Sequence, residues 1–319
     1  MSEGKLTPNT MMSASRLPGL LGMSKYSTPN DELTLSIESL KGNEPEHKEI
    51  EAADWGNRFE NQILQQACER LGLHTYNLRH TEASFHADWP LCCSLDGTAD
   101  GHGLVVQTDP DRGIFVMGAD SIVLDGIGVL EAKLTGQDVE DSPPLWRGPI
   151  QLQGQMAVVG AKWGAVCTLY RGTKLRVFLF TAHETTQERI RAEVEVFQLK
   201  LDAYQATGSI DYYPPHNSQD ADRVWSQAND EEPVQLSELV DMWAQEILEA
   251  KQDIETAQEV ITDREAKIKA HMQEHTTGFT AMYKIRWPMR HYKAQPERVT
   301  PAKPASVVRQ STLTIKEIK

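Results

Sequence analysis

The spacing of apolar residues changes period several times along the chain, and each change marks an element. In "AADWGNRFENQILQQACERLGL", Phe59, Ile63, Leu64, Ala67 and Leu71 recur at helical spacing and Gly72 supplies a stop, which predicts a half-buried amphipathic helix. Upstream, "MMSASRLPGLLGMSKYSTPNDEL" predicts a short helix opened by a serine and closed by Gly22, then a proline-containing turn. From about residue 75 to 135 the pattern shifts to short runs separated by Gly, Asp and Pro. "ASFHADWPLCCSLDGTADGHG", "GIFVMGADSIVLDG" and "GVLEAKLTG" read as three strands, with "TDPDRG" as a reversal. After a loop holding Pro143, Pro144 and Pro149, "IQLQGQMAVVGA" reads as a helix, "WGAVCTLYRG" and "KLRVFLFTA" as a strand pair, and "ETTQERIRAEVEVFQLKLDAYQATG" as another helix. This order is that of an α/β unit whose sheet is flanked by helices.

The pattern also divides the chain. A connector rich in Asp, Asn and Gln over 215–232 separates a first domain, 1–214, from a C-terminal segment, 233–319. In that segment Leu236, Val240, Trp243, Ile247, Ala250, Ile254, Ala257 and Ile261 alternate steps of four and three, the seam of a long helix that packs on a partner within the chain or in another subunit. Beyond it lies a basic tail, in which Lys284, Arg286, Arg290, Lys293, Arg298, Lys303, Arg309, Lys316 and Lys319 face only Glu297 and Glu317. Tyr283, Trp287 and Tyr292 are interleaved with these charges, a composition suited to nucleic acid and equally to a solvated tail balancing an acidic body.

Composition changes the picture in three places. The net charge of −14 over 319 residues argues against phosphate binding by the surface as a whole, so any contact with nucleic acid has to be local. No apolar run is long enough for a membrane helix, and "MSEGKLTPNT" lacks the apolar core of a secretion signal, which points to a cytoplasmic protein without a membrane partner. The four cysteines, Cys68, Cys92, Cys93 and Cys167, form no C-x-x-C pair and are expected to be reduced and mostly buried, with at most one of Cys92 and Cys93 exposed.

The candidate chemistry centres on "GIGVLEAKLTG". Alternate residues of a strand share a face, so Glu131 and Lys133 point together while Leu130 and Ala132 point into packing. An E-x-K pair alone is an ordinary surface ion pair. Its company is what distinguishes it. Asp96, immediately before a glycine turn at Gly97 in "CSLDGTADG", is one hairpin earlier and placed to reach Glu131; Glu60 lies on the preceding helix beside Phe59 and Ile63; Gln151 opens the helix after the loop. Three carboxylates, a lysine and a glutamine at one sheet edge suit hydrolysis of a phosphodiester, whose anionic substrate calls for a divalent cation. Oxygen donors suit Mg²⁺. Asp96, Glu131 and the backbone carbonyl of Ala132 are the expected metal ligands, and Lys133 would orient or deprotonate the attacking water and stabilise negative charge.

The motif order "WGNRFEN", "SLDG", "LEAK" and "IQLQGQMAVVG" resembles the PD-(D/E)XK nucleases, specifically the YqaJ and lambda-exonuclease branch of phage recombination nucleases, and "SASRLPGLLGMSKYSTP" resembles that branch's N-terminal helix. The resemblance spans about residues 13–200. It implies a PD-(D/E)XK core with a central mixed sheet, and an exonuclease that uses Mg²⁺, or Mn²⁺ in its place, with two ions. Such an enzyme digests one strand of duplex DNA from its 5′ end and hands the 3′ overhang to a single-strand annealing protein. It implies Glu60, Asp96, Glu131, Lys133 and Gln151 as the active-site set, Ser15 and Ser94 as ligands of the terminal 5′ phosphate, and a ring-shaped homo-trimer as an available assembly. The branch's upstream Trp and Arg are absent from "KLTPNTMM", which leaves Arg16 or Lys25 to replace the arginine on DNA. Two other functions fit the same core: a structure-specific or restriction-like endonuclease, and a DNA-end-binding module that loads a recombinase and hydrolyses poorly. His271 and His275, one turn apart without a third ligand, read as a solvated helix end.

Overall fold

The alternation around "VLEAK" does form a strand. In the computed structural model, which describes residues 7–45, 51–78, 80–226 and 233–289, it is a central strand of a six-stranded mixed sheet. In chain order the strands are β1 (Met12–Ser13), β2 (Thr75–Asn77), β3 (Ser84–Phe85), β4 (Leu91–Cys93), β5 (Gly97–Asp100), β6 (Leu104–Gln107), β7 (Ile114–Val116), β8 (Ser121–Leu124), β9 (Ile127–Thr135), β10 (Trp163–Tyr170), β11 (Lys174–Thr181), β12 (Thr277–Phe279) and β13 (Lys284–Arg286). The helices are α1 (Leu17–Leu20), preceded by a 3₁₀ turn at Ala14–Arg16, α2 (Pro29–Leu40), α3 (Glu51–Leu71), α4 (Pro149–Val159), α5 (Glu184–Thr207), α6 (Ser218–Val224) and α7 (Glu238–Met272). The main sheet runs β2-β5-β9-β10-β11-β7, with β9/β10 and β11/β7 parallel and the other pairs antiparallel. Smaller sheets are β1-β4-β3, β6-β8 and β12-β13. The expected mixed sheet flanked by helices is therefore present.

Strand alternation sorts the core into two layers. Val129, Val166 and Phe178 face a cluster with Leu17, Leu152, Met156 and Phe197, while Leu130, Ala165, Cys167 and Val177 face one with Leu64, Ala67 and Leu71 of α3. Each fully buried aliphatic side chain contributes about 1.5–3 kcal/mol, so register along β9 is strongly specified: a slip of one residue would turn Glu131 into the wrong layer. All four cysteines are buried thiols, Cys92 and Cys93 alike. Burial pushes the Cys68 thiol up to about 11 and the Cys93 thiol to about 12, which makes them inert packing residues at neutral pH.

The helix between β9 and β10 makes their parallel pairing possible, since parallel strands need a crossover. It starts at Gly148, whose φ of 110° favours glycine, continues with Pro149 at the first turn, and stops at Gly160 in the left-handed conformation. Gly154 lets α4 approach α1 closely: a β-carbon there would sit 2.3 Å from Leu17 Cδ1.

Several elements differ from the sequence expectation. Residues after Gly22 form a second helix, α2, because Thr28 and Asp31 make a reciprocal capping box and Pro29 occupies the first turn. Gly97 begins β5 and is no turn. Phe59 is exposed, so the buried stripe of α3 runs Ile63, Leu64, Ala67, Leu71. The chain divides into two compact units, Met1–Val224 and Trp225–Lys319. The segment 215–232, expected as a connector, carries α6, whose buried Asp220 accepts hydrogen bonds from Thr28 Oγ1 (3.1 Å) and Asn30 Nδ2 (2.9 Å) of α2. In the second unit α7 is the expected long helix, and Trp243, Ile247, Ile254 and Ile261 of its stripe are exposed. Residues 227–232 and the expected basic tail from Arg290 onward lie outside the described residues. Among the described residues no helix is long and apolar enough to cross a membrane.

Candidate active site

β9 outruns its neighbour. The antiparallel pairing with β5 ends at Gly97 opposite Leu130, so from Glu131 onward β9 presents an unpaired edge on that side. The Ala132 amide donates instead to Asp96 Oδ2 at 2.9 Å, which fixes the carboxylate just before β5 against the exposed edge. Within a strand, the N–H and C=O of one residue point to the same edge. The Ala132 carbonyl therefore emerges beside Asp96.

Glu131 is 1% exposed, and both of its oxygens are held. Lys133 Nζ donates to Oε1 at 2.5 Å, and Gln155 Nε2 donates to Oε2 at 2.6 Å. Lys133 also donates to Gln151 Oε1 at 3.0 Å, and Gln155 also reaches the Ser94 carbonyl at 3.2 Å. Gln151 and Gln155 are one turn apart and share a face of α4, so a single helix sets both charged partners of the strand.

These groups line a cleft of about 380 Å³. Glu60, Asp96, Glu131, Ala132, Lys133 and Gln151 meet there, with Ser15 at its N-terminal side and the small residues Ala52, Ala53 and Gly56 of α3 keeping its wall low. Six residues expected from four separate segments are thus brought together, with Ser15 beside them. Ser94 is not in the cleft's lining; its main chain serves Gln155. Arg16, expected on DNA, is buried in the N-terminal core. All five of its N–H groups are used, on Glu32 Oε2 (2.6 Å), the carbonyls of Glu32, Asn9 and Met11, and Ser36 Oγ. It is an internal brace between the N-terminal segment and α2 and has no donor left for a phosphate. Lys25 lies elsewhere, over the ring of Trp146.

The electrostatics of the cleft are unbalanced, with three carboxylates against one ammonium. Burial, then repulsion from Glu131 and Glu60, raises the Asp96 carboxyl well above the usual carboxylate range. Glu60 is raised by the same causes, burial first and Glu131 second. For Lys133 burial opposes the charge, but the attraction of Glu131 and Asp96 outweighs it and raises its pKa above the ordinary lysine value. In this arrangement Lys133 is an ammonium that donates hydrogen bonds rather than a base.

Among the described residues no three His, Cys, Asp or Glu side chains are gathered tightly enough to ligate one ion by themselves. A cation that keeps several waters needs only one or two carboxylates, and the oxygen-only donor set of Asp96, Glu131 and the Ala132 carbonyl fits a hard divalent ion of that kind. The excess negative charge fits it as well. Gln155 is the residue that sequence reasoning missed. Its signal was its position four residues after Gln151 within the same "QLQGQ" run.

The family model of the YqaJ-like viral recombinase domain matches residues 7–275. Among solved structures, the chain is similar to the alkaline exonuclease LHK-Exo from Laribacter hongkongensis, at 17% identity over 61% of this chain and 90% of that one, with a TM-score of 0.42. It is also similar to a phage related exonuclease from Haemophilus somnus 129PT, at 12% identity over 62% of this chain and 96% of that one, with a TM-score of 0.42. No curated protein matches the chain.

Proposed function

The chain belongs to the YqaJ-like viral recombinase domain family, as its motif order implied, and from that premise we propose that it is a metal-dependent deoxyribonuclease that digests linear duplex DNA from its ends. In this reading digestion runs 5′ to 3′ and leaves 3′ overhangs for a single-strand annealing protein, as expected of a nuclease in phage-type recombination. The observation that carries the reading is the convergence of Glu60, Asp96, Glu131, Lys133 and Gln151 in one cleft at the free edge of β9.

The roles follow from the geometry. A divalent cation, Mg²⁺ or Mn²⁺, held by Asp96, Glu131 and the Ala132 carbonyl would neutralise phosphate charge and lower the pKa of a bound water. Lys133, fixed by Glu131 and Gln151, places an ammonium where negative charge develops on the phosphodiester and can orient the attacking water. Glu60, whose carboxyl is raised above its ordinary value by burial and by Glu131, lines the same cleft as Lys133 and could exchange a proton with that water. Gln155 keeps Glu131 turned toward the cleft. Ser15 also lines the cleft and would donate to a terminal phosphate. Confinement of the cation to the cleft reconciles an anionic substrate with a chain of net charge −14.

The test uses the purified full chain with Mg²⁺ on end-labelled linear duplexes, with and without a 5′ phosphate, beside covalently closed circles. Loss of nucleotides from the 5′ end of linear DNA only, with circles intact, is the expected result. Cutting of circles would replace this reading by an endonuclease, and binding without release of nucleotides would replace it by an end-binding module.

A further inference from the structure

Beside the acidic cleft lies a second cavity, of about 400 Å³, that the chemistry just described does not use. The two share Lys133 and Leu134, so they adjoin across the end of β9. The second cavity carries the cations Lys25 and Arg147 and the rings of Tyr26 and Trp146, with Glu140 as its acidic residue. Lys25 Nζ stands 5.6 Å from the centre of the Trp146 ring, Arg147 stands 5.5 Å from it, and Tyr26 meets it edge-on at 5.6 Å.

We propose that this cavity is a nucleotide subsite that takes one unpaired nucleotide of the strand lying across Lys133, with its base on Trp146 and Tyr26 and its phosphate on Lys25. The proposal rests on the nuclease reading for the identity of that strand and on the cavity itself for the contact. Three observations carry it. The volume falls in the range of small-molecule sites and is of the size of a nucleotide. Aromatic rings interleaved with cations are the surface that holds single-stranded nucleic acid, because every base has a face to stack and every nucleotide has a phosphate. The third is a pattern of held and unheld groups. Arg147 is 91% buried on its side chain (9% exposed) and is fixed by ion pairing to Glu140, whose carboxylate also accepts from Tyr170 at 3.1 Å. It therefore acts as a post that holds Trp146 in place. Lys25, by contrast, pairs with no carboxylate among the described residues, and Tyr26 is 82% exposed. An exposed aromatic ring and an ammonium with no carboxylate partner among the described residues, both beside a fixed indole, form a receptive surface. A duplex cannot present a stacked base to it, so the nucleotide bound there has left its partner strand.

The experiment is isothermal titration of the full chain in EDTA, which removes any contribution of bound metal, with thymidine 5′-monophosphate, thymidine and inorganic phosphate as separate probes. The monophosphate is expected to bind, thymidine to bind more weakly and phosphate alone not detectably. Trp146→Ala and Tyr26→Ala are each expected to weaken the monophosphate by about 10-fold, the order that one base-aromatic stack supplies. Because Tyr26 is exposed, Tyr26→Ala cannot fail merely by unfolding the chain, and Trp146→Phe is expected to restore binding. Unchanged affinity in both alanine variants, or phosphate binding as tightly as the nucleotide, would overturn the subsite. Its fate is separable from that of the nuclease reading: a chain that binds nucleotide in a Trp146-dependent way but releases none from DNA with Mg²⁺ keeps the subsite and loses the nuclease. A chain that digests linear DNA with affinities indifferent to Trp146 and Tyr26 does the reverse.

Discussion

Replacing Gln155 by leucine tests whether α4 tunes the carboxylate of β9. Gln155 is completely buried, donates to Glu131 Oε2 at 2.6 Å, and leaves its own Oε1 without a partner among the described residues. A hydrogen bond to an ionised group contributes about 1.5–3 kcal/mol, and a buried orphan acceptor costs about 1–3 kcal/mol. Leucine removes the orphan, but it leaves Glu131 Oε2 and the Ser94 carbonyl without this donor, so Gln155→Leu should lose about 1–3 kcal/mol of stability. The larger effect is expected at the cleft. Glu131 loses one of the two donors that orient its carboxylate, and about 1.5–3 kcal/mol withdrawn from that orientation would weaken binding of a metal held there by about 10- to 100-fold. The assay is the Mg²⁺ dependence of nucleotide release from linear duplex, and the expected result is a half-saturating concentration raised by that factor. Gln153→Leu is the control. Gln153 is buried on the same helix, but it bonds to the Thr181 carbonyl and the His183 amide, away from the cleft. It should lose stability without shifting the Mg²⁺ dependence. If Gln155→Leu moves that dependence no further than Gln153→Leu does, the glutamine is packing and the assignment of Glu131 as a tuned ligand fails.

Three further outcomes are expected. Lys133→Ala should abolish hydrolysis while duplex binding, read by gel shift, stays nearly intact; turnover that survives would remove Lys133 from the mechanism. Arg16→Leu should cost about 3–5 kcal/mol of stability, because it strands Glu32 in the core without its partner, and the loss should appear in thermal melting; a variant that melts normally yet fails to engage DNA ends would instead put Arg16 on the substrate. Without metal, stability should fall as pH rises above the ordinary carboxylate range. Asp96 and Glu60 have folded-state pKa values above their unfolded ones, so the fold retains protons there that the unfolded chain has released. Mg²⁺ should flatten that slope in a melting series, and a metal-free melting temperature that climbs over the same window would contradict the sign of both shifts.

Much of the fold was legible because local patterns and tertiary packing asked for the same thing. The alternation in "VLEAK" fixed the faces of β9, and the 3.6-residue spacing from Ile63 to Leu71 fixed the buried side of α3. The second helix was legible too, in Thr28, Pro29 and Asp31, but a proline that opens a helix was read as one that forms a turn. The residue types and their order were enough to single out Glu60, Asp96, Glu131, Lys133 and Gln151, and the fold brings these five into one cleft.

What the sequence could not decide was which side chains would already be occupied. Arg16 and Lys25 are equivalent as letters in a basic, N-terminal context. Only the packing of α2 surrounds the first with five acceptors, three of them backbone carbonyls that no side-chain pattern encodes, and leaves the second beside an exposed ring. Likewise Asp96 was expected just before a glycine turn, and it reaches the cleft because β5 stops one pair short of Glu131, an accident of strand length that frees the Ala132 amide. Side-chain identity and periodicity are local and are written residue by residue. Occupancy of hydrogen bonds and the net charge of a cleft depend on distances between separate segments, and those exist only once the chain has folded.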